Sequence, residues 1–357
     1  MNISIKTAKS IISTLVQQQL NGSNPPPVCL WGPPGVGKSD ILRQIKSEKK
    51  IDLIDIRLSQ MEPVDLRGVP YIEKTVEEII TKWAIPSIFP QGQTAKGIIF
   101  FDEISSVDST IQTAAYQLFL DRKSGGYEIP PNVYVCAAGN RAEDHAISNP
   151  MSSALTNRLL HLEIEPDTKA WCEWAIENNI APEVVGFIHM SPDSLFMLNE
   201  KCERGWPSPR SWANVSKVLS YGYAKDELLA CISGLVGEYP ATEFLAYLKH
   251  SHELGDIRTV MLDPKTKWKP PTKDDMLFAV ATAIAYWTWR GKTPDESAKL
   301  LDGFFRIALQ LPVTFAMVAL SDAMSGKDGE VIANQIMAHK RFKELQAKIS
   351  VDKKREA

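Results

Sequence analysis

The sequence predicts an α/β fold: a parallel sheet flanked by helices that carries a phosphate-binding loop, followed by a second, largely helical part. Three observations predict it. Gly32-Pro33-Pro34-Gly35-Val36-Gly37-Lys38-Ser39 matches G-x-x-x-x-G-K-[ST]. The apolar run Gly97-Ile98-Ile99-Phe100-Phe101 ends in Asp102-Glu103. Strand-like and helix-like segments alternate up to about residue 166, after which the pattern is helical nearly throughout.

Taken in chain order, Ser10 to Leu20 has the spacing of an amphipathic helix, and Asn21 to Pro27 is a polar, Pro-rich linker. Val28-Cys29-Leu30-Trp31 reads as a short buried strand, and Asp40 to Lys46 has helical apolar spacing. The glycine-rich loop therefore lies between strand and helix, as phosphate binding requires. In that setting the loop from Gly32 to Asp40 surrounds the phosphates with the backbone N–H groups of its non-proline residues, Lys38 reaches the β/γ-phosphates and the Ser39 hydroxyl ligates Mg²⁺. Further strands are expected at Ile51 to Leu58, Gly97 to Phe101, Asn132 to Ala138 and Leu159 to Ile164. Consecutive apolar residues before Asp102 suit a central parallel strand covered on both faces, with its carboxylates at the carboxyl end where ligands bind. Asp102 is then a metal ligand, and Glu103 polarises the water that attacks the γ-phosphate.

Two hairpins interrupt this core. Gly68 to Glu73 and Glu78 to Ala84 flank Lys74-Thr75-Val76-Glu77, and Leu118 to Pro130 turns at Ser124-Gly125-Gly126. Tyr71, Ile72, Tyr127 and Ile129 are expected to be exposed on them, because the hairpins look too short to bury all four. Past Pro166, breaks at Pro182, Pro207, Pro240, Pro264, Pro270-Pro271, Pro294 and Pro312 divide the helices. The expected domains are residues 1–165, 166–290 and 291–357.

Tyr134 to Asn140 ends a buried strand in a polar side chain, Pro150 to Leu159 follows, and Gly205-Trp206-Pro207-Ser208-Pro209-Arg210-Ser211 opens a later helix. In this order behind the two nucleotide motifs, these elements resemble the MoxR-like branch of the AAA+ ATPases over about residues 25 to 220. The resemblance implies an AAA+ αβα core with a helix-2 insert and a pre-sensor-1 hairpin, an α-helical lid and a helical C-terminal extension. It implies Asn140 as sensor 1, Arg158 as an arginine finger offered to a neighbouring subunit's nucleotide, and Arg210 as sensor 2. Arg141 is a second candidate for a cation acting in trans. The implied activity is Mg²⁺-dependent ATP hydrolysis in a hexameric homo-oligomeric ring, coupled to remodelling of a partner beside a von Willebrand factor A domain protein.

The alternative is a nucleic-acid motor or loader on the same core. Forty Lys plus Arg against 43 Asp plus Glu, a formal net charge of −3, give no overall footprint for nucleic acid or an anionic membrane, although a local basic channel is still allowed. Trp268, the aromatic run Tyr286-Trp287-Thr288-Trp289 and Lys340-Arg341-Phe342-Lys343 read as core and solvated helix face rather than as a nucleic-acid surface. The five cysteines are scattered without a C-x-x-C pair, and His250 and His252 are too sparse for a metal site. The N-terminus lacks the apolar core of a signal peptide, and no run approaches the ~20 apolar residues of a membrane span, so the expected location is the cytoplasm.

Overall fold

The computed structural model describes residues 2–75, 78–144, 149–198, 204–253, 255–325 and 329–353. Val76 and Glu77 of the expected hairpin turn, Cys202, the side chains of His250 and His252, and the tail from Lys354 lie outside the described residues. The chain forms two compact units, residues 1–166 and 167–357.

The first unit runs β1 (Asn2–Ile3), α1 (Ile5–Leu20), β2 (Val28–Trp31), α2 (Lys38–Lys49), β3 (Asp52–Arg57), α3 (Pro63–Arg67), β4 (Val69–Lys74), β5 (Ile79–Ala84), β6 (Lys96–Asp102), α4 (Ser109–Leu120), β7 (Lys123–Ser124), β8 (Tyr127–Glu128), β9 (Asn132–Gly139), α5 (Ser153–Thr156) and β10 (Leu160–Ile164). Six strands make a parallel sheet in the order β1-β10-β2-β9-β6-β3. Ile98, Ile99, Phe100 and Phe101 are fully buried, as their apolar run requires of a strand covered on both faces. Helix α1 starts five residues before the expected Ser10, because the Ser4 side chain caps it by accepting from the Thr7 N–H. The two-residue β1 is too short to leave a periodic signal in the sequence.

Parallel register sets the edge at which each strand ends. Trp31 pairs with Gly139, Phe101 with Ala137, and Asp102 with Arg57. The residues that follow β2, β6 and β9 therefore emerge together at the carboxyl edge of the sheet, where open α/β sheets bind ligands.

The two hairpins differ. In the β4–β5 ribbon Val69, Tyr71, Ile72, Ile79 and Trp83 are exposed, with Ile72 and Ile79 at 68% and 69%. The second hairpin overturns the expected exposure. Tyr127 and Ile129 are only 4% and 3% exposed. Tyr127 stacks on Phe89 with centroids 4.7 Å apart and donates its hydroxyl to the Pro90 carbonyl at 3.0 Å. The segment joining β5 to β6 supplies a cover that local sequence does not announce.

The second unit is helical throughout its regular structure. One apolar cluster gathers Trp171, Phe187, Trp212, Phe244 and Tyr247, and another gathers Val280, Ile284, Phe304, Phe305 and Phe315. His189 joins helices 182–190 and 313–323 through a 3.0 Å hydrogen bond to Asp322. Burial pulls its pKa down, but hydrogen bonds to Asp322 and Cys172 outweigh that and raise it to about 10. The aromatic run packs inward: Trp289 donates to the Ala323 carbonyl at 2.7 Å, and the Arg290 guanidinium lies 3.7 Å from the Tyr286 ring centroid. Among the described residues, no helix is long and apolar enough to cross a membrane.

Candidate nucleotide site

The loop between β2 and α2 is shaped by its glycines. Gly35 and Gly37 have φ of 82° and 100°, and Gly32, at φ 153°, has so little room that a Cβ there would come within 2.5 Å of the Ile164 carbonyl oxygen. Gly37 stands at the N-cap of α2, so Lys38, Ser39 and Asp40 form its first turn, with the positive end of the helix dipole facing the loop. Pro33 and Val36 are buried and brace the loop, while Pro34 is half-buried at its rim. Asp40 is turned to Arg43, 2.7 Å away.

Lys38 is 8% exposed, and its ammonium donates to the carbonyls of Gly32 and, at 3.1 Å, Pro33, and to Asn140 Oδ1 at 2.9 Å. Asn140 reaches this position from the end of β9, where its own N–H donates to Ser105 Oγ at 2.9 Å. Ser39 Oγ donates to Asp102 Oδ2 at 3.0 Å. Burial pushes the Asp102 carboxyl above the usual carboxylate range, opposed by hydrogen bonds from Ser39 and the Glu103 N–H and by the charge of Lys38. A half-buried carboxylate paired with a hydroxyl is an oxygen donor set suited to a hard divalent cation such as Mg²⁺. The residues fit the metal that the sequence implies.

Glu103 sits at φ 63°, a left-handed conformation uncommon for a side chain of its type, and Ser59 Oγ donates to its carboxylate. Ser59 escaped sequence reasoning, because a serine just after a strand carries no motif; its place opposite Glu103 comes from the pairing of β3 with β6.

Arg158 lies elsewhere. It precedes β10, whose Leu160 pairs with Val28, so it stands at the amino edge of the sheet, opposite its own phosphate-binding loop. It is exposed at the mouth of a cavity of about 420 Å³ lined also by Gln19, Pro27, Asp121, Arg122 and Tyr134. Arg141 is engaged by Asp144, which takes its guanidinium at 3.0 Å and its backbone N–H at 2.8 Å, so the second candidate cation is already neutralised within its own turn. Arg210 is exposed in the first turn of helix 209–219 of the second unit, behind the Ser208 N-cap. Among the described residues no group of three or more His, Cys, Asp and Glu side chains is placed to hold a metal.

Residues 28–161 match the model of the AAA family, the ATPase family associated with various cellular activities. This segment is an AAA domain. It spans β2 to the first residues of β10 and so includes every candidate site residue the sequence predicts except Arg210. An uncharacterized AAA domain-containing protein of Schizosaccharomyces pombe is 30% identical over 133 residues, covering 35% of this chain and 16% of the relative. The chain thus matches only a small part of that protein's length. Solved structures similar to the chain include RuvB of Thermotoga maritima, a Holliday junction branch migration motor, at 16% identity, 82% of this chain, 91% of that one and a TM-score of 0.40. A putative ATPase from Cytophaga hutchinsonii is 14% identical over 82% of this chain and 79% of that one, with a TM-score of 0.32.

Proposed function

We propose that the protein hydrolyses ATP with Mg²⁺ at this site, in a MoxR-like ring, and uses the cycle to remodel a partner protein. The observation that carries the hydrolase reading is the convergence of Lys38, Ser39, Asp102 and Asn140 at one sheet edge within 3.0 Å hydrogen bonds. Gly32 to Asp40 cradle the phosphates with the backbone N–H groups of their non-proline residues, and Lys38 gives up its carbonyl and Asn140 contacts to reach them. Ser39 and Asp102 would hold Mg²⁺, and the bound cation would supply neutralisation of charge on the phosphate oxygens. Glu103 accepts a hydrogen bond from the attacking water and orients it, and Asn140 helps to hold that water or the γ-phosphate. Arg158, too far along the fold to serve its own loop, faces a neighbouring copy's nucleotide in a head-to-tail ring. Arg210 is the lid cation of this reading.

Phosphate release by the purified chain is the direct test. Wild-type protein is expected to hydrolyse ATP only with a divalent cation; no release under any metal would overturn the hydrolase reading. Ser39→Ala and Asp102→Asn should each raise the Mg²⁺ concentration needed for half-maximal activity, since each removes or weakens one oxygen ligand. Unchanged Mg²⁺ titrations in both variants would contradict the metal assignment.

The β4–β5 ribbon supports partner contact, because its exposed Ile72, Ile79 and Trp83 share one face of the ribbon and form an apolar surface there. Ile72→Ser with Ile79→Ser is expected to leave basal ATPase unchanged and to abolish stimulation by the protein that co-purifies with the chain. Stimulation that survives the double substitution would move the contact elsewhere, and stimulation by DNA in place of protein would favour the motor alternative.

A further inference from the structure

Trp31 is the last residue of β2, immediately before the phosphate-binding loop, and its side chain is not idle. Its indole Nε1–H donates to His161 Nδ1 at 2.8 Å, and the other ring nitrogen, Nε2, lies 2.8 Å from the Thr156 carbonyl oxygen. These two partners fix the tautomer. An indole N–H only donates, so Nδ1 must be the bare nitrogen; a carbonyl only accepts, so Nε2 carries the proton. The two rings lie nearly parallel, 20° apart, with centroids separated by 6.1 Å. Neutral His161 is thus a two-ended bridge from the strand that feeds the nucleotide loop to the turn Ser153–Thr156, two residues before Arg158.

The remaining contacts make the bridge part of a continuous path. On its other side the Trp31 ring packs so tightly against Gly139 that a Cβ there would come within 3.0 Å of both Trp31 Cζ3 and Ser105 Oγ. Ser105 Oγ is the group that accepts the Asn140 N–H. Beyond Thr156, the Arg158 N–H donates to the Leu155 carbonyl at 2.9 Å, and Leu155 is fully buried. Buried Leu155 and the His161 bridge tether this exposed turn to the core, and an arginine that must meet a phosphate across a subunit boundary needs a rigid base.

We propose that His161 is a positioning residue which, through Trp31 and Thr156, fixes the turn carrying Arg158 relative to the phosphate-binding loop. This rests on the hydrolase reading above. His161 touches no substrate; it acts by holding the geometry from which Arg158 is presented. Glutamine can replace it, because its amide oxygen accepts from Trp31 while its amide nitrogen donates to Thr156, and leucine can do neither.

The test compares His161→Leu and His161→Gln with wild type by steady-state ATPase kinetics and thermal melting. For the leucine variant kcat is expected to fall roughly 10- to 100-fold, the scale of a catalytic group displaced by about 1 Å. KM for ATP should stay within about twofold, because the nucleotide pocket is untouched. The glutamine variant should recover most of kcat. Should the leucine variant fail to fold, Trp31→Phe, which keeps a ring and removes the N–H, gives the same readout. Wild-type kcat in the leucine variant, a rise in KM alone, or a glutamine variant as slow as leucine would each overturn the proposal. A wild-type protein that releases no phosphate would sink the hydrolase reading instead. The bridge is then judged on the ¹⁵N resonances of His161: a neutral Nε2–H tautomer supports it, and any other state overturns it.

Discussion

Glu103→Gln is expected to bind ATP as tightly as wild type and to lose about 100-fold or more in turnover, the usual worth of a positioned general base. The amide keeps the size of the side chain and can still accept from Ser59, so the left-handed backbone at φ 63° is retained while the carboxylate charge is lost. Lys38→Ala is expected to behave differently. Its ammonium is 8% exposed and held by two loop carbonyls and Asn140, so its loss strips the loop of its only internal cation and weakens ATP binding itself. Equilibrium binding of a fluorescent ATP analogue, measured beside phosphate release, separates the two. Near-normal turnover in the glutamine variant would remove Glu103 from the mechanism.

Arg158→Ala should bind ATP and be nearly inactive, because a guanidinium supplied to the transferring phosphoryl group is worth on the order of 10³–10⁵ in rate. The cause lies in topology. Arg158 precedes β10 at the amino edge, whereas Asp102 ends β6 and Lys38 and Asn140 follow β2 and β9 at the carboxyl edge, so the arginine is out of reach of its own site. Mixing the Arg158→Ala protein with the Lys38→Ala protein is therefore expected to restore activity at interfaces where an intact pocket meets an intact arginine. If mixed assemblies form, as shown by a tag on one subunit capturing the other, and no activity returns, the action in trans is wrong.

Several features of the site were legible because they are local. Three glycines and a lysine at fixed spacing determine a loop whose positive φ values only glycine adopts without strain, and an unbroken apolar run before Asp102-Glu103 determines a strand buried on both faces. Boundaries were less legible where a cap decided them, as with Ser4 ahead of α1. Exposure in the second hairpin was misjudged because Tyr127 is covered by Phe89 and Pro90, 38 and 37 residues earlier, and no periodicity within the hairpin reports a cover that distant.

By itself, then, the sequence determined the α/β class, the conformation of the phosphate-binding loop and the identity of the carboxylates that end β6, since each depends on neighbours a few residues apart. Tertiary structure alone decided which side chains meet. Parallel pairing joins strands remote in sequence, and its register brings Asn140 to Lys38 and Ser59 to Glu103, sets Arg158 at the opposite edge, and lets His161 bridge Trp31 to Thr156. Those contacts span up to 130 positions along the chain, a distance over which hydrophobic pattern and local propensity carry no information about partner choice.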